Sequence, residues 1–164
     1  MRGTIVQVST SRGGVPKYAI SEGSVTPLGL EGDVHAHPQF HGGPRQAILL
    51  ISAEDIAVLR ETGFPVFAGA LGENLTVRSI DFRQVRIGQR FRAGDTILEI
   101  TKLRRPCSQL NPYGPGIQAA LHDAACKAGD VRSPVWGMGG FYASVTKTGI
   151  VRPNDIIELL DQAV

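Results

Sequence analysis

The stretch Leu103-Arg104-Arg105-Pro106-Cys107 sets a thiol directly after a proline, with two arginines just upstream. A thiolate is both a nucleophile and a soft metal ligand, and neighbouring cations lower a thiol pKa from its free value of about 8.5. Cys107 therefore suits nucleophilic sulfur chemistry or metal ligation; the competing reading is a small buried hydrophobe. His35, His37 and His41 share the loop running from Asp33 to Gly43. Imidazoles and a carboxylate at that density suit zinc, although the spacing matches no established zinc motif. The alternative is that one or two of them line a pocket and the rest are solvated. Pairing of Cys107 with His41 or His35 is a further option, because such partners meet in space rather than in sequence. Gly72-Glu73-Asn74-Leu75 offers a carboxylate and an amide beside a glycine, although on the residues alone a tight turn is the favoured reading. No G-x-S-x-G elbow surrounds Ser108, so a serine triad has no support there. Cys126 lies in an Ala-rich amphipathic stretch and reads as packing.

The elements that must position these residues are mostly short strands. Proline has no N–H and biases its predecessor away from helix, so the strand before Pro106 should end there and leave Cys107 on a rim. That strand, up to Thr101, returns from a hairpin over residues 86–101 with its turn at Ala93-Gly94-Asp95; Leu98 and Ile100 alternate with Glu99 and Thr101. Further strands are predicted at 4–8, 17–20, 25–28, 47–51 and 74–77, with loops at 9–14, 29–43 and 111–116. Ser52 with Asp55 three residues on resembles a capping box and starts a helix that Gly63 stops. A second helix is predicted over 117–128, ended by Gly129. Residues 141–147 and 156–160 are expected to close the fold as a hairpin around 148–155.

The totals narrow the class. With 164 residues, 42% hydrophobic and 20% charged, the chain reads as one globular domain over residues 1–164. The 20 glycines and 10 prolines favour many turns. A net charge of +2 with scattered arginines gives no sign of nucleic-acid binding, though it suits a small anionic ligand. Two cysteines outside any C-x-x-C pair exclude a disulfide framework and a sulfur-rich zinc site. No apolar run approaches the roughly 20 residues of a membrane span, and no signal-peptide core is present, so no membrane association and a cytoplasmic setting are expected. There is no G-x-G-x-x-G after a strand and no phosphate loop; the glycines at 137–140 lead into a strand instead. Strands that do not alternate with helices argue for a barrel or sandwich over a doubly wound sheet.

Gly32-Asp33 leading to His41-Gly42-Gly43, then Gly72-Glu73-Asn74-Leu75, Pro106-Cys107, Gly140-Phe141-Tyr142-Ala143 and the final Gly149–Asp155 segment together resemble the MOSC domain. That domain is named for the C-terminal part of molybdenum-cofactor sulfurase. The resemblance spans nearly the whole chain and is closest to the stand-alone bacterial members. It implies a mostly β fold, a barrel of short, largely antiparallel strands with two or three inserted helices. It implies one essential cysteine, here Cys107, which in the family carries sulfur or coordinates molybdenum held by a pterin dithiolene. In the related amidoxime-reducing enzymes that cysteine is a molybdenum ligand. The pterin phosphate would want cations and backbone donors, for which Arg45, Arg104, Arg105 and the Gly42 and Gly43 amides are candidates; His41, Glu73, Asn74 and Tyr142 complete the expected cofactor pocket. Three functions follow as expectations: reduction of N-hydroxylated small molecules at a molybdenum cofactor with a redox partner protein, sulfur carriage on Cys107, or binding of a small anion without reaction. Sulfur carriage would need a pyridoxal-phosphate-dependent cysteine desulfurase as partner, since these 164 residues hold no such module.

Overall fold

Short apolar and β-branched runs punctuated by glycine turns close into a barrel in the computed structural model, which describes residues 1–36, 38–39 and 41–161. Eleven strands are β1 (Arg2–Thr10), β2 (Tyr18–Ile20), β3 (Gly23–Thr26), β4 (Gly29–Leu30), β5 (Ile48–Ser52), β6 (Leu75–Arg78), β7 (Arg90–Ala93), β8 (Thr96–Leu103), β9 (Phe141–Lys147), β10 (Gly149–Val151) and β11 (Ile156–Asp161). The helices are α1 (Ala53–Glu61), α2 (Ile117–Leu121) and α3 (Ala124–Lys127). The barrel runs β11-β7-β8-β9-β5-β6-β1, and β1 pairs back onto β11 to close it. All of its pairs are antiparallel except β5 with β6, which α1 connects. The far end of β1 carries β2, and β10, β3 and β4 form a small second sheet. The expected fold class is the one observed.

Each side of β5 is covered, which is why its residues form an unbroken apolar run instead of alternating. Ile48 and Leu50 point into the barrel with Phe141, Leu98 and Ile5, whereas Leu49 and Ile51 join an outer core of Ile56, Leu59, Leu110, Ile117 and Leu121. That outer core packs the helices on the wall formed by β9, β5 and β6. The site described below opens beside it.

Several expectations change. The second helix is two pieces: His122 is extended (φ −161°, ψ 127°), and Asp123 caps α3 by accepting from the Cys126 amide at 2.8 Å. An Asp inside a predicted helix finds a better partner as a cap than as an interior residue. β9 and β11 form no hairpin with each other; β9 lies between β8 and β5, and β11 between β7 and β1. Backbone amides at the β7–β8 turn explain the detour, since Gly94 and Asp95 donate to the Ile156 and Ile150 carbonyls, at 3.1 Å each. That contact draws residues 149–156 under the turn and frees β10 to join the second sheet. β1 extends to Thr10 through part of the expected loop, β3 stops at Thr26, and a 3-10 turn over 108–113 takes up the first half of the loop expected at 111–116.

Candidate active site

Cys107 follows the end of β8 by four residues and opens the 3-10 turn over Ser108–Tyr113, its carbonyl accepting from the Leu110 amide at 3.1 Å. The strand stops at Leu103, three residues short of Pro106, and Cys107 is half-buried and lines a cleft. The cleft is open, and the figure of about 560 Å³ for its free space includes the solvent in front of it. Leu49, Leu71 and Leu110 from the outer core line its apolar part. Its polar part comes from Lys17 ahead of β2, His35 and His41 from the 31–43 loop, Arg104, Tyr142 on β9, and Gln109.

Arg104 is the buried cation of the site, only 5% exposed. Its Nη2 donates to the Leu71 carbonyl at 2.7 Å and its Nη1 to the Gly139 carbonyl at 3.4 Å; its amide donates to the Gly140 carbonyl at 2.9 Å. The Tyr142 side chain stands within electrostatic reach of the guanidinium. Burial lowers its pKa from the ordinary value, while Tyr142, Cys107 and Glu73 act in the opposite direction. Burial pushes the Tyr142 phenol up, and Arg104 moderates that rise. Cys107, Arg104 and Tyr142 thus form one electrostatic group.

A second cation, Lys17, lines the cleft and was overlooked in the sequence, where it reads as the first residue of a strand. Its ammonium pairs with Asp33 Oδ2, and both side chains are buried. Asp33 also accepts from the Ser11 amide at 2.9 Å and from Asn74 Nδ2 at 2.9 Å. His35 follows two residues later and lies against Gly42: a Cβ built at Gly42 would stand 2.6 Å from the imidazole ring. Burial first and Lys17 second lower the His35 pKa, while Asp33 raises it less.

The remaining expected residues divide. His41 and Gly42 line the cleft with Cys107, Arg104 and Tyr142. Arg45 and Arg105 are exposed and do not line it, and neither does Gly43. Glu73 and Asn74 lie behind the wall. Asn74 spends its side chain on the Leu49 amide, the Ser9 carbonyl and Asp33, tying β5, β1 and the histidine loop together. Glu73 is fully buried; Oε1 accepts from the Gly69 amide at 2.6 Å and Thr76 Oγ1 at 3.0 Å, and Oε2 has no partner among the described residues. It fixes the turn whose Leu71 carbonyl holds Arg104 and whose Gly72 lines the cleft. His37 lies outside the described residues, and among those described no three His, Cys, Asp or Glu converge as a metal site.

A soft sulfur donor at the mouth, two buried cations and no carboxylate among the described lining residues fit an anionic, sulfur-ligated metal group. Among the described residues no helix is long and apolar enough to cross a membrane.

The sequence profile of the MOSC domain matches residues 37–158. The chain is 31% identical over 135 residues to the uncharacterized protein YflK of Bacillus subtilis, covering 81% of this chain and 56% of that one. It is 30% identical over 139 residues to a protein of Gibberella moniliformis named Reductase, covering 82% of this chain and 23% of that one. The crystal structure of YiiM from Escherichia coli superposes with a TM-score of 0.70 at 27% identity, covering 99% of this chain and 71% of that one. The chain therefore spans about half the length of YflK and under a quarter of the fungal protein.

Proposed function

The chain belongs to the MOSC family, which is associated with the molybdenum cofactor, and on that premise we propose that its cleft holds a molybdenum–pterin group with the Cys107 thiolate as protein ligand to the metal. The observation that carries this reading is half-buried Cys107 lining one cleft with the buried guanidinium of Arg104. When bound, the group supplies two-electron redox chemistry. This chain's residues do the rest. Cys107 fixes the metal end. Arg104, held by the Leu71 and Gly139 carbonyls, would offer the anionic group fixed positive charge without having to reorganise. Leu49, Leu71 and Leu110 keep water from one wall. N-hydroxylated small molecules are the substrates for this version, with electrons from a redox partner protein; a relative of which the chain covers 23% is named Reductase, which agrees with a reduction but names no substrate.

The test is metal and pterin analysis of full-length protein from a molybdenum-replete host. One molybdenum and one pterin per chain are expected, with both lost in Cys107→Ala at unchanged fold. Molybdenum retained in that variant would refute Cys107 ligation.

A second reading is favoured by the position of Cys107 beside exposed Arg105 and Ser108, where a partner protein can reach it. In it Cys107 attacks the outer sulfur of a desulfurase persulfide, releasing that enzyme's thiolate and carrying the sulfane onward. Metal-free protein bearing one cyanide-labile sulfur per chain, absent from Cys107→Ala, would establish this version instead.

A further inference from the structure

The net charge of +2 hides an asymmetry. Residues 101–128, from the end of β8 past Cys107 to α3, hold Lys102, Arg104, Arg105 and Lys127 against one carboxylate, Asp123. That carboxylate is spent on the fold, accepting from the Cys126 amide and from Ser133 Oγ. Lys102, Arg105 and Lys127 are exposed, and so is Arg45. The backbone brings them to one face. Thr101 Oγ1 donates to both the Arg45 and the Tyr142 carbonyls, and Lys102 pairs in register with Tyr142, which lines the cleft. Gly139 packs between the Arg104 and Leu121 carbonyls, where a Cβ would stand 3.2 and 3.4 Å from their oxygens, so the end of α2 meets the chain beside Arg105. His122, next after α2, senses the result. Burial lowers its pKa first, Arg105 lowers it further by more than Asp123 raises it, and Lys127 adds to the fall. Three exposed arginines elsewhere are paired, Arg92 with Glu158, Arg132 with Asp130 and Arg152 with Glu22. Among the described residues Arg45, Lys102, Arg105 and Lys127 have no carboxylate partner. Like charges grouped without partners repel one another and add nothing to folding; what they do supply is a field that steers an oppositely charged molecule.

We propose that this face is the docking surface for an acidic electron-transfer protein, whose carboxylates meet Lys102, Arg105, Arg45 and Lys127 and set its redox group over Cys107. The inference rests on the reading that a protein supplies electrons to this cleft. Two features select a protein over the other anionic surfaces. No large apolar side chain in residues 101–128 is exposed to enter a bilayer. The one aromatic residue there, Tyr113, is half-buried and offers no open ring on which bases could stack. Charges spread over several elements raise the encounter rate and fix orientation more than they raise affinity, which suits a brief electron-transfer contact.

The test titrates the isotope-labelled full chain with flavodoxin, a small acidic flavoprotein, and follows the backbone amide resonances. The amides of residues 102–109, 122–127 and Arg45 should shift, and the dissociation constant should weaken about tenfold from low to physiological salt. Cytochrome c, a basic electron-transfer protein, should shift none of them. Lys102→Glu combined with Arg105→Glu should weaken flavodoxin binding about tenfold or more. Lys147→Glu, an exposed change at the other end of β9, should leave it unchanged. Anionic phospholipid vesicles and a single-stranded RNA oligomer are titrated at the same salt. No shifts with flavodoxin, shifts confined to another face, unchanged affinity in the folded double variant, or tighter binding of vesicles or RNA to these residues would overturn the proposal. The wild-type map needs no variant, so a double variant that fails to fold leaves the test decisive. The titration needs no bound molybdenum, so an empty cleft in the metal analysis refutes the cofactor assignment alone, and a face that binds nothing refutes the docking alone.

Discussion

Two arginines adjacent in sequence end in opposite environments. The backbone leaves β8 at Leu103, so Arg104 turns inward beneath Cys107 and Arg105 stands in solvent. Residue type alone marks both as candidates, and only the position relative to the strand end separates them. Glu73 shows the same limit: its motif is legible, but its carboxyl holds the wall of the cleft from behind instead of facing a ligand. Its burial has a consequence for pH. Desolvation raises the Glu73 pKa above the ordinary 4.5 in the folded state, against the opposing hydrogen bonds from Gly69 and Thr76. The folded protein therefore binds this proton more tightly than the unfolded chain does. The stability linked to it is complete below about pH 4.5 and is lost as pH rises through the raised value. Glu73→Gln, neutral throughout, lacks that dependence. The melting temperature of the wild type relative to the Gln variant should be most favourable near pH 4 and decline steadily toward pH 8. A difference that stays flat over that range would mean that Glu73 titrates alike in both states.

At the scale of elements, what could be read from sequence is what is decided locally. Ser52 caps α1 as its spacing predicts, accepting from the Asp55 amide at 3.2 Å, and Gly63 follows the helix in a left-handed conformation (φ 106°). The reciprocal half of the capping box is absent, because Asp55 turns its carboxylate to Arg83 at 2.7 Å. That partner lies 28 residues away, beyond any local pattern. The mistaken hairpin of β9 and β11 has the same origin: turn residues show where a strand stops, but its neighbours are chosen by barrel closure and by the carbonyls the β7–β8 turn must satisfy. Ser52→Ala should cost about 1 kcal/mol in urea unfolding, the ordinary worth of a Ser N-cap. It should leave Cys107 alkylation unchanged, since α1 packs on the outer core and not on the cleft. A loss within error of zero would show that the Oγ contact contributes nothing beyond what water supplies.

At the scale of the molecule, the barrel seam and the cleft are one construction, joined at Gly140. Its carbonyl receives the Arg104 amide, and its Cα faces β5 so closely that a Cβ would lie 2.3 Å from the Leu50 carbonyl oxygen and 2.5 Å from Ile51 Cγ1. β9 pairs with β5 immediately afterwards, at Phe141 and Leu50. A side chain there would force β9 off β5 and carry Arg104 with it. Gly129 provides the comparison, with a similar positive φ (77° against 83°) but open space where its Cβ would stand. Gly129→Ala should cost about 1 kcal/mol, the conformational penalty alone. Gly140→Ala carries the same penalty plus a backbone clash, and should lose about 3 kcal/mol or more or fail to fold. The difference between their urea midpoints measures the close approach of β9 to β5, because the torsional cost is common to both. Equal losses would mean that this approach relaxes freely, and that the cleft does not depend on the seam beneath it.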